Sequence, residues 1–319
     1  PYLRPAAPYV PSTETNSPLV LLQHMIRRQE AHRYYNAQMP CAEARLALVE
    51  WMESLVGMLE FSASTLHVAV AILDVLLSLT AIETERLKIV AFVCVSLAGK
   101  MEEPYAKLPS MADVCRLFQG AYTVEDIANC EQVVFSMLRC SAAVVTPHAF
   151  ATHLVHRGAL HADELGKRNH AAVLADFAEL VEFCLRTSLD CYELYQFSAL
   201  AVGASVIACA RKYLGLAVYW PDNLASLTGV HAASITECFN MLDALVQEMY
   251  DERLNCLSVD SSLASTQLEA ASPQRKKGEA ATQDNSLGDS MVIAEFECLA
   301  SDDENLFGES QTVVLKFNV

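Results

Sequence analysis

Residues 89–99 read IVAFVCVSLAG, and residues 197–210 read FSALAVGASVIACA. Both stretches are apolar on every face of a helix and are rich in Ala, Ser, Cys and Gly. A helix that is hydrophobic all round has to be surrounded by protein, and small side chains let its neighbours approach to an interaxial distance of about 8 Å. We therefore predict that each stretch is the central helix of its own helical bundle.

Most of the remaining chain is also predicted to be helical, because apolar residues recur at helical spacing with almost no strand signal. These segments are 45–58, 65–79, 84–101, 124–138, 149–156, 171–187, 195–213 and 232–250, and the two that contain the central stretches are 84–101 and 195–213. Each central helix is followed by a broken linker and another amphipathic helix, and the two lie about 110 residues apart. The predicted fold is all-α, a tandem repeat of five-helix units.

The predicted domains follow from breakers and composition. Residues 1–40 are a proline-rich arm followed by an amphipathic helix that begins near Pro18, and residues 41–145 form the first repeat. Residues 146–254 form the second repeat, and residues 255–319 form an acidic, Ser-rich tail that we expect to be partly disordered. Ser62, Thr84 and Thr123 are predicted to cap helix starts.

The bulk composition excludes some classes of partner. The net charge of −17 argues against nucleic acid, because proteins that track phosphates carry a basic face. The longest uncharged run in the body, residues 197–210, is shorter than the 18–20 or so apolar residues that span a bilayer. The eleven cysteines are scattered singly with no CxxC spacing, as in a reducing compartment. We expect a protein of the nucleus, the cytoplasm or both, with no membrane partner.

Short motifs in the first repeat resemble a known family. Residues 45–52, RLALVEWM, resemble the entry signature of the cyclins, and residues 97–103, LAGKMEE, resemble that family's Leu-Ala-Ser-Lys-Phe-Glu-Glu. Glu131 stands where the family carries a glutamate opening its fifth helix. In the second repeat, residues 187–192 and 219–222 are most similar to the cyclin J branch. The resemblance covers about residues 20–250 and implies two cyclin boxes.

The resemblance implies a function in cell division, as a non-enzymatic subunit that binds and activates a cyclin-dependent protein kinase. Lys100 and Glu131 are the residues expected to hydrogen-bond the kinase backbone and to hold its mobile helix inward. Kinase substrates or inhibitors would be further partners. The other expected kinase-binding residues are Met101, Glu102, Phe135, Cys140, Ala142, Leu22, Met25 and Ile26. Cys140 and Ala142 are smaller than their counterparts, which implies a shallower kinase pocket.

The resemblance implies two further sites, for substrate docking and for phosphorylation, on fewer matching residues. The family's substrate-docking patch keeps Leu48 and Trp51 and has Lys88 for a glutamine, but alanines replace two of its larger residues. Arg-x-Leu docking in its familiar form is therefore not expected. Ser272 begins a Ser-Pro sequence followed by basic residues, the substrate pattern of the kinases that cyclins activate. We expect it to be a phosphorylation site.

Two other functional classes remain open. A transcription-type scaffold on the same repeated fold usually carries a zinc ribbon and a basic DNA-facing surface, and neither feature is present in this sequence. A helical enzyme would need a polar pocket, whereas both central helices nearly lack polar catalytic groups. The nine histidines show no metal spacing, and no nucleophile or phosphate-loop motif appears. We predict no catalytic site, metal or cofactor, and structural roles for His67 and His148.

Overall fold

The computed structural model describes residues 18–29, 35–39, 42–139, 144–165 and 169–249, all within one compact unit. These residues form helices and connecting loops without a strand, which confirms the predicted all-α fold. Two short 3₁₀ segments, Tyr105–Lys107 and Tyr192–Gln196, lie between helices. The helices are α1 Pro18–Gln29, α2 Ala42–Met58, α3 Ala63–Leu79, α4 Thr84–Glu102, α5 Met111–Leu117, α6 Val124–Met137, α7 Pro147–Val155, α8 Ala162–Leu165, α9 His170–Asp190, α10 Ala199–Tyr213, α11 Asp222–Thr228 and α12 over residues 232–249.

The first bundle, α2 to α6, is built around α4 as predicted. Every residue from Ile89 to Val95 is buried, and α4 packs against α2, α3 and α6. Helix α3 shares the centre, because its residues from Thr65 to Leu77 are all buried as well. The sequence pattern alone did not single out α3, whose Thr, His and Asp side chains interrupt the apolar run.

The second bundle, α7 to α12, has α10 at its centre, again as predicted. Ten consecutive residues from Val202 to Arg211 are buried. A Cβ atom at Gly203 would lie 2.9 Å from the carbonyl oxygen of Pro147 and 2.9 Å from the Cβ of Phe150. Only glycine fits this close approach of α10 to α7, which is the reason for the small residues in the stretch that predicted the helix.

The helix starts agree with most of the predicted caps. The Ser62 side chain accepts the backbone N–H of Thr65, and Thr123 forms a reciprocal capping box with Asp126. The cap expected at Thr84 is wrong. Glu83 is the N-cap residue of α4, because its carbonyl already accepts the N–H of Arg86 at 2.8 Å.

A buried ion pair joins the two bundles. Arg45 on α2 donates to both carboxylate oxygens of Asp74 on α3, at 2.6 and 2.9 Å, and both side chains are 2 % exposed. A third donor of the same guanidinium bonds the carbonyl of Leu189, near the end of α9, at 2.8 Å. The guanidinium also lies over the rings of Tyr192 and Tyr195. One side chain therefore ties α2, α3 and the second bundle together.

A pair of stacked histidines lies at the same junction. The imidazoles of His67 on α3 and His148 on α7 are 5.0 Å apart between ring centroids, and His67 is 4 % exposed. Burial is the main cause that lowers the pKa of both, and for His67 the neighbouring His148 and Arg186 lower it further. The carboxylates of Glu182 and Glu102 raise the pKa of His148, but burial lowers it by more.

This pair predicts an acid-sensitive fold. A histidine whose pKa is lowered on folding binds fewer protons than in the unfolded chain, so stability falls as the pH drops below the unfolded value of about 6.5. The unfolded pKa sets an upper bound of about 2 kcal/mol on the loss that His67 can cause between pH 7 and pH 5. We expect His67→Phe to flatten the pH dependence of urea unfolding. His24→Phe, at an exposed position of α1, is the control. An equal slope in the His67 variant and the wild type would contradict the prediction.

Candidate functional site

The two residues singled out for partner binding lie together at one end of the first bundle. Lys100 is in the last turn of α4, and Glu131 is in the middle of α6. The Lys100 ammonium donates to a carboxylate oxygen of Glu131 at 2.5 Å. Their side chains are 46 % and 29 % exposed, so both are accessible to a partner. In the chain by itself each charge is therefore neutralised by the other.

Exposed apolar side chains lie near this ion pair along the chain. Met101 follows Lys100 directly and is 41 % exposed, and Phe135, one helical turn beyond Glu131, is 38 % exposed. Tyr105, in the 3₁₀ segment that follows α4, is 90 % exposed and was not identified from the sequence. An accessible ion pair with exposed aromatic and Met side chains nearby in the chain has the composition of a protein-binding surface.

A cleft of about 470 Å³, open to solvent, lies beside the pair and extends toward α5. Its lining is mostly apolar and comes from the α2–α3 loop, α4, the connection between α4 and α5, α5 and α6. The lining residues are Leu59, Phe61, Phe92, Val95, Ser96, Lys100, Leu108, Pro109, Met111, Val114, Ile127 and Glu131. Lys100 and Glu131 are its charged members, so a segment bound over the ion pair would also cover the cleft.

The end of α4 is tied to the start of α3 by two adjacent carboxylates. Glu102 accepts a hydrogen bond from the Ser64 hydroxyl at 2.8 Å. Glu103 accepts the backbone N–H of Ser62 and the hydroxyl of Thr65, each at 2.6 Å. These bonds lower the pKa of Glu103 to about 2, and the bond from the Ser62 N–H has the largest effect. Glu102, which was predicted to bind the kinase, is thus exposed but already has a hydrogen-bond partner, Ser64, within the chain.

The predicted residues of α1 lie elsewhere. Leu22 is 1 % exposed and Met25 is 9 % exposed, and both pack against Phe150 and Leu200 of the second bundle. Ile26 is partly buried against the same cluster. These three side chains therefore hold α1 against the second bundle. The exposed face of α1 carries other apolar residues, Leu19, Val20 and Leu21.

The residues of the suggested substrate patch are brought together in part. The Lys88 ammonium lies 5.6 Å from the centroid of the Trp51 ring, and Trp51 also packs against Phe118 at 6.4 Å between centroids. Leu48 is only 9 % exposed. The patch therefore offers a cation stacked on an indole ring.

Three predicted residues, Cys140, Ala142 and Ser272, lie outside the described residues. Among the residues that are described, no group of three His, Cys, Asp or Glu side chains is placed to hold a metal ion. In the same residues no helix is both long and apolar enough to cross a membrane.

Comparisons with known proteins agree with this fold. The family model for the cyclin N-terminal domain matches residues 20–142, and the model for the cyclin C-terminal domain matches residues 145–276. G2/mitotic-specific cyclin-B2 of Rana japonica is 23% identical over 250 residues, which are 78% of this chain and 59% of that protein. Cyclin-A1 of Xenopus laevis is 25% identical over 225 residues, 69% of this chain and 50% of that protein. The chain thus spans roughly half the length of these relatives.

Solved structures share the arrangement of helices. A viral cyclin from herpesvirus saimiri has a TM-score of 0.59 at 16% identity, covering 72% of this chain and 97% of that one. A chain of the yeast RNA Pol II CTD kinase CTDK-1 complex has a TM-score of 0.50 at 15% identity, covering 69% and 70%. At these identities the likeness concerns the fold. Two cyclin-domain models that together span most of the chain, on a tandem helical fold shared with a solved cyclin, show that this protein belongs to the cyclin family.

Proposed function

We propose that this chain is a regulatory subunit that binds a cyclin-dependent protein kinase and activates it, without being an enzyme itself. The observation that carries the proposal is the accessible Lys100–Glu131 pair beside an apolar cleft, with Met101 and Phe135 exposed on the same two helices. A lysine and a glutamate at one site offer a donor and an acceptor for backbone groups of a partner segment. The surrounding apolar side chains would exclude water from those bonds.

Such bonds are strong enough to favour one kinase conformation. A hydrogen bond to a charged group contributes about 1.5–3 kcal/mol, so two of them supply about 3–6 kcal/mol. A partner shifts an equilibrium between two conformations by its difference in affinity for them, and about 5.5 kcal/mol changes a ratio of 1:99 into 99:1. Two charged bonds made only to the inward position of the kinase helix would therefore supply much or all of the free energy that activation needs.

The test is direct capture and activation. Purified cyclin-dependent kinases are incubated with the wild-type chain, and the bound kinase is assayed for histone phosphorylation. We expect the wild type to bind and activate at least one kinase, and Lys100→Ala/Glu131→Ala to do neither. Glu83→Ala/Arg86→Ala removes another exposed ion pair, at the opposite end of α4, and should behave as the wild type.

The result also separates the two classes of function. Capture of a kinase by the wild type, with loss in the double variant, supports a kinase subunit with this site. A wild-type chain that binds none of the kinases would exclude the proposal and leave a cyclin-fold scaffold.

We further propose that the chain is of the cyclin J type and acts in the nucleus or cytoplasm. The assignment to this branch rests on two sequences. Residues 187–192 lie at the end of α9 and the start of the second 3₁₀ segment, and residues 219–222 lead into α11, which begins at Asp222. Localisation of the full chain fused to a fluorescent protein in dividing cells tests the compartment.

A further inference from the structure

The segment that carries Lys100 is anchored by the residue that follows its helix. Helix α4 ends at Glu102, and the side chain of Glu103 turns inward until only 4 % of it is exposed. Its carboxylate accepts the Ser62 N–H and the Thr65 hydroxyl, as described above. Both donors belong to the start of α3, the helix in which all thirteen residues from Thr65 to Leu77 are buried. The end of α4 is therefore fastened to one of the least movable parts of the bundle.

The chemistry of this anchor favours a carboxylate. The first N–H groups of a helix carry a partial positive charge and lack partners within the helix, so an anion placed there is stabilised. Ser62 is the N-cap of α3, and its own hydroxyl is used to accept the Thr65 N–H. Glu103 completes the cap by satisfying the backbone N–H of Ser62. The Lys107 ammonium, 3.8 Å away, adds a nearby positive charge.

The packing leaves the last turn of α4 little room to move. A Cβ atom at Gly99 would lie 2.8 Å from the ring of Phe61, so the helix already touches the α2–α3 loop at this point. Lys100 follows Gly99 directly, and Glu103 lies three residues further on. The Lys100 backbone is thus held between a close helix contact and an ionic anchor.

We propose that Glu103 is a positioning residue, which fixes the last turn of α4 so that Lys100 and Met101 are presented in the geometry that the kinase partner requires. This inference rests on the proposed function. Glu103 itself is buried against α3 and is expected to make no contact with the partner. Without the anchor, the turn would sample several positions, and only a fraction of the molecules would be competent to bind, which lowers the apparent affinity by that fraction.

The test compares two carboxylates that cap helix starts at different places. Glu103→Gln removes the negative charge of the anchor and leaves an amide oxygen, a weaker acceptor, whereas Glu164→Gln makes the same change in the second bundle, where Glu164 bonds the His161 N–H and Arg211. Affinity for a kinase that the wild type binds, thermal stability and hydrogen exchange of the amides of residues 99–103 are measured for both. We expect Glu103→Gln to bind about tenfold more weakly, with faster exchange of those amides, and Glu164→Gln to bind as the wild type.

Two outcomes would overturn the inference while leaving the proposed function intact. One is unchanged kinase affinity in Glu103→Gln, and the other is an equal loss in both variants at equal loss of stability. A wild-type chain that binds no kinase would remove the proposed function and this inference with it. If Glu103→Gln does not fold, Thr65→Val removes one of the two donors, and a smaller loss in the same direction is expected. Unchanged affinity in that variant counts against the anchor.

Discussion

Replacing Arg45 with methionine is expected to lower the free energy of unfolding by about 3–5 kcal/mol. The substitution leaves the carboxylate of Asp74 buried without its ionic partner and also removes the donor to the Leu189 carbonyl. A buried charge without a counterion costs far more than a surface ion pair contributes, because neither water nor a neighbouring charge compensates for its lost hydration. The loss should appear as a lower midpoint in guanidinium unfolding.

The size of this loss should depend on pH in a defined direction. Burial raises the pKa of Asp74 even in the wild type, with Arg45 acting against that shift. Without Arg45 the pKa is expected to rise further, so that the folded variant holds a proton that the unfolded chain releases above about pH 4. The stability of the variant should therefore fall as the pH rises above that value, and its difference from the wild type should be smallest in acid, where both folded proteins hold the proton.

A double variant separates the contribution of the two charges from the contribution of the volume that the two side chains fill. Arg45→Met/Asp74→Leu replaces both charges with apolar side chains, an exchange that is often near neutral for buried pairs. We expect the double variant to lose less stability than either single variant, and Asp74→Leu alone to be strongly destabilised because Arg45 stays buried. A double loss equal to the sum of the two single losses would show that the side chains do not act as a pair.

Single substitutions at Lys100 and Glu131 should each weaken kinase binding by about 10- to 150-fold, the equivalent of one hydrogen bond to a charged group. The fold should be unaffected, because an exposed ion pair contributes at most about 1 kcal/mol to stability. Dissociation constants measured by calorimetry for Lys100→Ala, Glu131→Ala and the double variant test this. The Glu83→Ala/Arg86→Ala control should stay within about twofold of the wild type.

The same measurements report whether the partner opens the ion pair. Each charge is paired with the other in the chain by itself. If the kinase breaks that pair, either single variant escapes the cost of breaking it, and the double variant loses more than the sum of the single losses. The surplus should equal the strength of an exposed pair, about 0.2–1 kcal/mol. Simple additivity would mean that the pair survives in the complex. Losses below threefold in both single variants would contradict the role assigned to these residues.

Much of the fold was predictable because the relevant information is local in the sequence. An apolar stretch without a polar face, such as residues 89–99, has to be surrounded by other helices wherever it lies. The caps at Ser62 and Thr123 are equally local, because each hydroxyl bonds a backbone N–H three residues ahead. The cap at Thr84 failed because the start of a helix is also set by which carbonyl accepts the first backbone bond, and residue type does not fix that choice.

The sequence pointed to individual residues of the candidate site but not to the contacts between them. Lys100 and Glu131 were identified by resemblance, yet their mutual hydrogen bond depends on how α4 and α6 pack. The same holds for Leu22 and Met25 of α1, which the resemblance placed among the kinase-binding residues, since only the fold shows that both are buried against the second bundle. Tyr105 had no sequence signal, since only the fold shows that its side chain is 90 % exposed in the segment that follows α4.

By itself, the sequence determined that this protein is a tandem pair of helical bundles with buried central helices, because amphipathic period and residue size act within one segment. Tertiary structure alone decided which distant groups became partners: Arg45 with Asp74 and the Leu189 carbonyl, His67 with His148, and Glu103 with the start of α3. A charged or polar side chain can bond many groups of the opposite character, and only the packing of helices brings one of them within 3 Å and excludes the water that would otherwise compete.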